Sequence, residues 1–252
     1  MTAPDHRDPS RSSRRGGVRQ TGEADGDPGH LGPIIAETVE LQISGRTYDI
    51  VRPGDTDLLL DRVEFDPEQN LPYWAEIWPS GVALADAITS EPDVVRGERI
   101  FEIGSGLGIT AIAAAEAGAT LTASDYSADA LLFCQENVRR NITAPLTTLR
   151  FNWRRPGDHF WDQSGAPFPV VLAADVLYEK RDLVPMLALI ERLVAPDGML
   201  WLAEPGREVA TSFLQMALDA GWGGPLVRHL GPWPDPKDRG VEVSLHRLRR
   251  SG

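Results

Sequence analysis

Cysteine is almost absent from this 252-residue chain: Cys134 stands alone, which excludes an intrachain disulfide and any zinc site built on several thiolates. Histidine is nearly as scarce. His6, His30, His159, His229 and His246 form no recognisable triad or metal set, so neither a general base nor a metal centre is expected. No apolar run approaches the ~18 residues that span a bilayer, and the N-terminus lacks the apolar stretch of a secretory signal. A soluble, cytoplasmic protein without membrane contact is the expectation. Positive charge is also in deficit, with 25 Lys and Arg against 37 Asp and Glu, a net −12. That balance disfavours a surface that tracks phosphates and suits a basic protein partner.

Large apolar side chains are almost missing from residues 1–33, which are rich in Arg, Ser, Gly, Asp and Pro and cannot repay the entropy of ordering. A disordered tail is expected there. Its five arginines are offset by five acids, so the net charge belongs to the remainder of the chain. Residues 34–70 read as an N-terminal β-hairpin extension, because Val39, Leu41 and Ile43, then Tyr48 and Ile50, alternate on either side of Ser44-Gly45.

Residues 71–252 carry the main domain. A helix is predicted over 82–89, with Pro79 and Ser80 suited to its start. Strands at 99–103, 120–124, 147–151, 170–174 and 199–203 then alternate with helices at 107–117, 128–141, 183–194 and 209–220. Two final strands, 226–230 and 241–248, flank a Pro-rich loop and read as an antiparallel hairpin. The pattern specifies an α/β fold: a doubly wound, mostly parallel seven-stranded sheet, covered on both faces and closed by that C-terminal hairpin.

In such sheets ligands sit beyond the carboxyl ends of the strands, where the topology switches direction. The first core strand ends in Glu102-Ile103-Gly104-Ser105-Gly106-Leu107-Gly108, whose glycines permit a sharp turn and close backbone approach to a ligand. Asp125 ends the next strand, where a carboxylate can take both hydroxyls of an adenosine ribose. Read from Gly104 the dinucleotide fingerprint fails at Ile109; read from Gly106 its relaxed form is met at Gly108 and Ala111. Glu102 favours S-adenosylmethionine over a dinucleotide, since a carboxylate before the turn repels a pyrophosphate and attracts a methionine ammonium. A dinucleotide-binding oxidoreductase stays open as an alternative.

Glu102-x-Gly104-x-Gly106-x-Gly108 with Asp125 resembles motif I and the ribose acid of the class I, seven-β-strand, Rossmann-like methyltransferases. Asp175-Val176-Leu177-Tyr178 is similar to the Asp-x-x-Tyr signature of methyltransferase family 16, which includes many protein-lysine methyltransferases. Pro72-Tyr73-Trp74-Ala75-x-x-Trp78-Pro79-x-Gly81, Pro92-Asp93-Val94-Val95-Arg96-Gly97 and Glu204-Pro205-Gly206-Arg207 resemble the branch acting on electron transfer flavoprotein β subunit, with its bacterial relatives.

The resemblance implies a cofactor, S-adenosylmethionine, held by Trp78, Glu102, Gly104, Gly106, Asp125, Trp153 and Ala174, with Trp153 near the adenine. It implies catalytic roles for Asp175 and Tyr178 facing the substrate. The implied partner is a protein with a target lysine, by resemblance electron transfer flavoprotein β subunit or a ribosomal protein. Val176 and Leu177 stand where nucleic-acid amino-methyltransferases carry consecutive prolines, so no nucleic-acid substrate is expected. A small-molecule N-methyltransferase is the alternative acceptor class. Blander readings exist residue by residue: Trp74 and Trp78, four apart, would share one apolar helix face, Tyr178 would cap a loop, and Asp175 would cap a turn.

Overall fold

The alternation around Ser44-Gly45 folds as two antiparallel strands, β1 (Ala36–Ile43) and β2 (Arg46–Pro53), whose turn holds Ser44 and Gly45 at φ 48° and 77°. The structure is a computed structural model describing residues 34–63 and 66–251, so the tail expected over 1–33 lies outside the described residues. After a short helix α1 (Leu60–Val63) and a 3-10 turn at Tyr73–Ala75 comes α2 (Pro79–Ser90), begun by proline in its first turn.

Then the predicted alternation unrolls. It runs β3 (Arg99–Ile103), α3 (Ile109–Glu116), β4 (Thr120–Asp125), α4 (Ala128–Asn141), β5 (Thr147–Arg150), α5 (Asp158–Ser164), β6 (Phe168–Ala174), α6 (Leu183–Leu193), β7 (Val194–Glu204) and α7 (Glu208–Asp219). Local chemistry explains the boundaries. Ser127 caps α4 by accepting from the Ala130 N–H, and Arg139 and Arg140 face the negative end of that helix.

Three late strands follow: β8 (Trp222–Gly223), β9 (Leu226–His229) and β10 (Val243–Arg250). The sheet order is β5-β4-β3-β6-β7-β10, with β8 and β9 in tandem on the far side of β10. Eight strands thus occupy seven positions. β3 to β7 pair in parallel and β10 runs antiparallel to β7 and β9. The order switches direction between β3 and β6.

Period-two alternation divides the core. Ile100, Leu121, Leu172 and Trp201 face one side with α2, α3, α4 and the β1–β2 hairpin; Phe101, Ile103, Val171 and Leu202 face the other with α6 and α7. The hairpin shares that first layer. Buried Asn137 on α4 exchanges hydrogen bonds with Val51 N–H and C=O and also donates to the Leu107 carbonyl. No described helix is long and apolar enough to cross a membrane.

Several elements differ from expectation, among them α1 and β8, which were not foreseen. α5 was not foreseen: its sequence is polar, and it is anchored by Phe160 stacking on Phe151 at 4.1 Å. β7 begins five residues before the predicted strand, because a bulge between Phe168 and Val170 lets Val194 pair across a turn at Gly198. A Cβ on Gly198 would lie 2.8 Å from the Pro169 carbonyl oxygen, so only glycine admits this turn.

Candidate active site

The switch between β3 and β6 brings together the glycine turn after Ile103 and the turn that begins at Asp175. Gly104 is where they touch. It lies at φ +67°, and a Cβ there would be 2.9 Å from Val176 Cγ1 and 3.3 Å from the Trp153 ring. Glycine is therefore required both by conformation and by space, and its absent side chain lets three chain segments converge. Gly106, at φ +49°, passes under the Trp74 carbonyl, which a Cβ would meet at 3.2 Å, and its N–H donates to Asp125 Oδ2 at 3.0 Å.

Asp125 is buried and also accepts from the Ser127 N–H at 2.9 Å. Burial pushes its carboxyl up to about 6, against the backbone N–H groups of Ser127, Gly106 and Tyr126. Glu102 lies deeper, 2% exposed, with Oε2 unpartnered among the described residues. Burial, then the neighbouring Asp125, pushes it up to about 8, while the Thr110 hydroxyl opposes the shift. At neutral pH this carboxyl keeps its proton unless a cation joins it.

Trp153 is buried, and its indole N–H donates to Asp182 at 3.0 Å. Asp182 is fully buried and is balanced by Arg154, which also reaches Glu68 and Asn70. Tyr126 in turn donates to Asp66. The stretch 66–70 is thereby tied to residues beside both Asp125 and Trp153.

Trp78 and Trp74 do not share a helix face. Pro79 starts α2, leaving Trp78 extended at its N-cap with its N–H on the Tyr73 carbonyl at 2.7 Å, while Trp74 packs on Phe133. Tyr73 meets Trp78 and Tyr178 edge to face, at 6.1 and 4.9 Å between centroids, and Tyr178 meets Trp153 at 6.4 Å. These four rings form a continuous aromatic wall. Burial raises the Tyr178 hydroxyl far above its ordinary range.

Half-buried Ala174 ends β6 opposite Ala203, and Asp175 follows at φ +54°, its N–H held by the Ala203 carbonyl at 2.9 Å. A non-glycine residue in this conformation carries strain that its surroundings must hold. Asp175 Oδ1 accepts from Arg207 Nε at 2.8 Å, and Oδ2 is buried without a partner among the described residues. All the candidate residues of the sequence thus line one end of the sheet.

Sequence reasoning missed Tyr73, Asp182, Arg154 and Arg207 as members of this constellation. Tyr73 and Arg207 belonged to matched motifs without an assigned part; Asp182 and Arg154 had no local signal. Among the described residues no group of three or more His, Cys, Asp or Glu suits a metal. The arrangement suits a ligand with a diol for Asp125, a cation for Glu102 and a flat ring for the aromatic wall.

Comparison with known proteins identifies the family. The lysine methyltransferase family matches residues 68–219. Electron transfer flavoprotein beta subunit lysine methyltransferase of Homo sapiens is 34% identical over 121 residues, 48% of this chain and 43% of that protein. Histone-arginine methyltransferase of Xenopus laevis is 28% identical over 173 residues, 66% of this chain and 72% of that one. In fold, the crystal structure of a putative RNA methyltransferase from Pyrococcus horikoshii superposes with TM-score 0.55 at 13% identity, covering 78% of this chain and 98% of that one. The family match sets aside the dinucleotide oxidoreductase. This chain belongs to the lysine methyltransferase family, and its methyl donor is S-adenosylmethionine.

Proposed function

We propose that the protein methylates a lysine ε-amine of another protein, with residues 71–252 as the catalytic domain and 34–70 as an extension of it. One observation carries the reading. Asp175 is held in a strained conformation at the switch point, beside the aromatic wall, with one carboxylate oxygen buried and unpartnered. The relatives named above act, by their names, on electron transfer flavoprotein and on histone, which supports a protein acceptor.

The residues present fit the donor. Asp125 would take the ribose hydroxyls, the turn at Gly104 and Gly106 would admit its backbone-side edge, and Glu102 would face its ammonium. Trp153, Trp78 and Ala174 would enclose the rest. When bound, S-adenosylmethionine supplies a methyl group on a sulfonium, an electrophile that needs no further activation.

The chain must then deliver a neutral amine in line with the breaking bond. Lysine resists, because its unperturbed pKa of ~10.4 makes deprotonation near neutral pH cost roughly 4 kcal/mol. An apolar mouth of Tyr73, Tyr178 and Trp78 disfavours the ammonium and lowers that cost. As the acceptor side chain enters, Asp175 Oδ2, which is buried in the free protein, would be uncovered to accept an N–H of the amine, orienting its lone pair and stabilising the positive charge that grows on nitrogen as the bond forms. The lysine ammonium gives up its proton to solvent before transfer; the free amine then takes the methyl group as its bond to sulfur breaks, leaving a methylated ammonium and S-adenosylhomocysteine. Val176 is buried against the glycine turn and Leu177 is buried as well, which supports a protein acceptor over a flipped base stacked at those positions.

Asp175→Asn tests the assignment. It is expected to bind S-adenosylhomocysteine within about twofold of the parent while losing on the order of 100-fold in turnover. Full turnover in that variant would refute the role.

A further inference from the structure

Arg207 stands in the chain directly before α7, yet its side chain reaches back to the acceptor side of the site. Its Nε donates to Asp175 Oδ1 at 2.8 Å, and its guanidinium carbon lies 5.8 Å from the centre of the Trp78 ring. The Asp175 side chain in this pair is 5% exposed, and that of Arg207 is 38% exposed. The turn bearing it is braced. Glu204 accepts the Gly206 N–H at 2.6 Å and faces His246, so the loop from β7 to α7 is fixed on its own acid rather than on Asp175.

An isolated carboxylate at the acceptor site is a liability for amine methylation. A negative charge within hydrogen-bond reach favours ammonium over free amine by roughly tenfold to a thousandfold, and ammonium has no lone pair to react. Here the charge does not stand alone. The carboxylate's two oxygens are differently committed: Oδ1 is bound to a permanent cation, and Oδ2 is buried and unpartnered among the described residues.

We propose that Arg207 is a positioning residue for the methyl acceptor: it fixes Asp175 and offsets its charge, so that Oδ2 orients an N–H of the uncharged amine without holding that amine as ammonium. The inference rests on the amine-methyltransferase reading of this site and names the residue that makes Asp175 compatible with it. Arg207 faces Asp175, Tyr73 and Glu204, with His246 beyond Glu204, and Asp238 and Tyr178 lie on the side of Asp175. Arg207 is the cation in direct contact with the Asp175 carboxylate.

The test compares the parent protein with Arg207→Gln and Arg207→Lys. Initial rates of tritiated methyl transfer are measured from pH 6.5 to 9.5 into the protein band that the parent labels in a lysate of its host. S-adenosylhomocysteine affinity and thermal midpoint are measured alongside. Arg207→Gln is expected to keep both within about twofold and a few degrees, lose about 10- to 100-fold in rate at pH 7, and recover to within about threefold at pH 9.5. Arg207→Lys, which retains the charge, is expected to restore most of the rate at pH 7. A loss in Arg207→Gln that is equal at every pH would make Arg207 a structural brace and overturn the proposal, as would a rate equal to the parent's throughout. If the parent labels no protein amine, the amine-methyltransferase reading fails and this proposal with it; failure with a labelling parent is specific to Arg207.

Discussion

Replacing Glu102 by Gln removes a buried titratable carboxyl and puts a neutral amide in its place. In the free protein the Glu102 carboxyl is pushed up to about 8, whereas an unfolded glutamate titrates near 4.5. Between those values the native state holds a proton that the unfolded state has released. Stability therefore falls as pH rises from about 4.5 to about 8 and is level above that. At about 1.4 kcal/mol per pH unit, the gap corresponds to on the order of 5 kcal/mol. Glutamine is neutral throughout and erases this slope. The contribution of Asp125, pushed up to about 6, remains in both proteins.

Urea unfolding without ligand at pH 5, 7 and 8.5 is the assay. At pH 5 the two proteins should differ by no more than about 1–2 kcal/mol, since the amide, like the protonated acid, places a polar group where Oε2 has no partner. By pH 8.5 Glu102→Gln should be the more stable by several kcal/mol. Its affinity for S-adenosylhomocysteine should nevertheless be lower by about tenfold or more, because the ammonium loses its counter-charge. Parallel stability curves for the two proteins would refute the buried, proton-holding carboxyl. Unchanged ligand affinity would remove Glu102 from the cofactor site.

Two further variants probe the walls of the same site. Gly104→Ala forces a Cβ to 2.9 Å from Val176 at φ +67°, so a loss of about 2–3 kcal/mol in unfolding free energy is expected together with weakened S-adenosylhomocysteine binding; wild-type values for both would show that the turn has room to spare. Asp182→Ala leaves Arg154 to Glu68 and Glu179 and takes the acceptor from the buried Trp153 indole, which should cost about 1–3 kcal/mol in urea unfolding and weaken cofactor binding; unchanged affinity in the folded variant would limit Asp182 to a structural part.

The parallel core was legible because its signals are local. The strand read over 99–103 and the helix read over 128–141 fall where the structure has them. α5 was not, since its seven residues are mostly polar and its place depends on Phe160 meeting Phe151 from another element. The glycine turn and Asp125 announced themselves through spacing. By contrast, the support under Trp153 is built from Asp182, Arg154 and Glu68, joined by hydrogen bonds that span 28 and 86 positions, which no window of sequence contains. The spacing of Trp74 and Trp78 suggested a shared helix face, but Pro79 delays the helix and turns Trp78 toward Tyr73. The upward push on the Glu102 carboxyl has no local signal either, because it comes from burial and then from the neighbouring Asp125.

The most direct test incubates the purified protein with methyl-labelled S-adenosylmethionine and a lysate of its host, and identifies the labelled residue by mass spectrometry. A discrete protein labelled on lysine, with the label lost in Asp125→Ala, is the expected result. Label confined to small molecules, or a protein labelled at a residue other than lysine, would contradict the assignment of a protein lysine as acceptor.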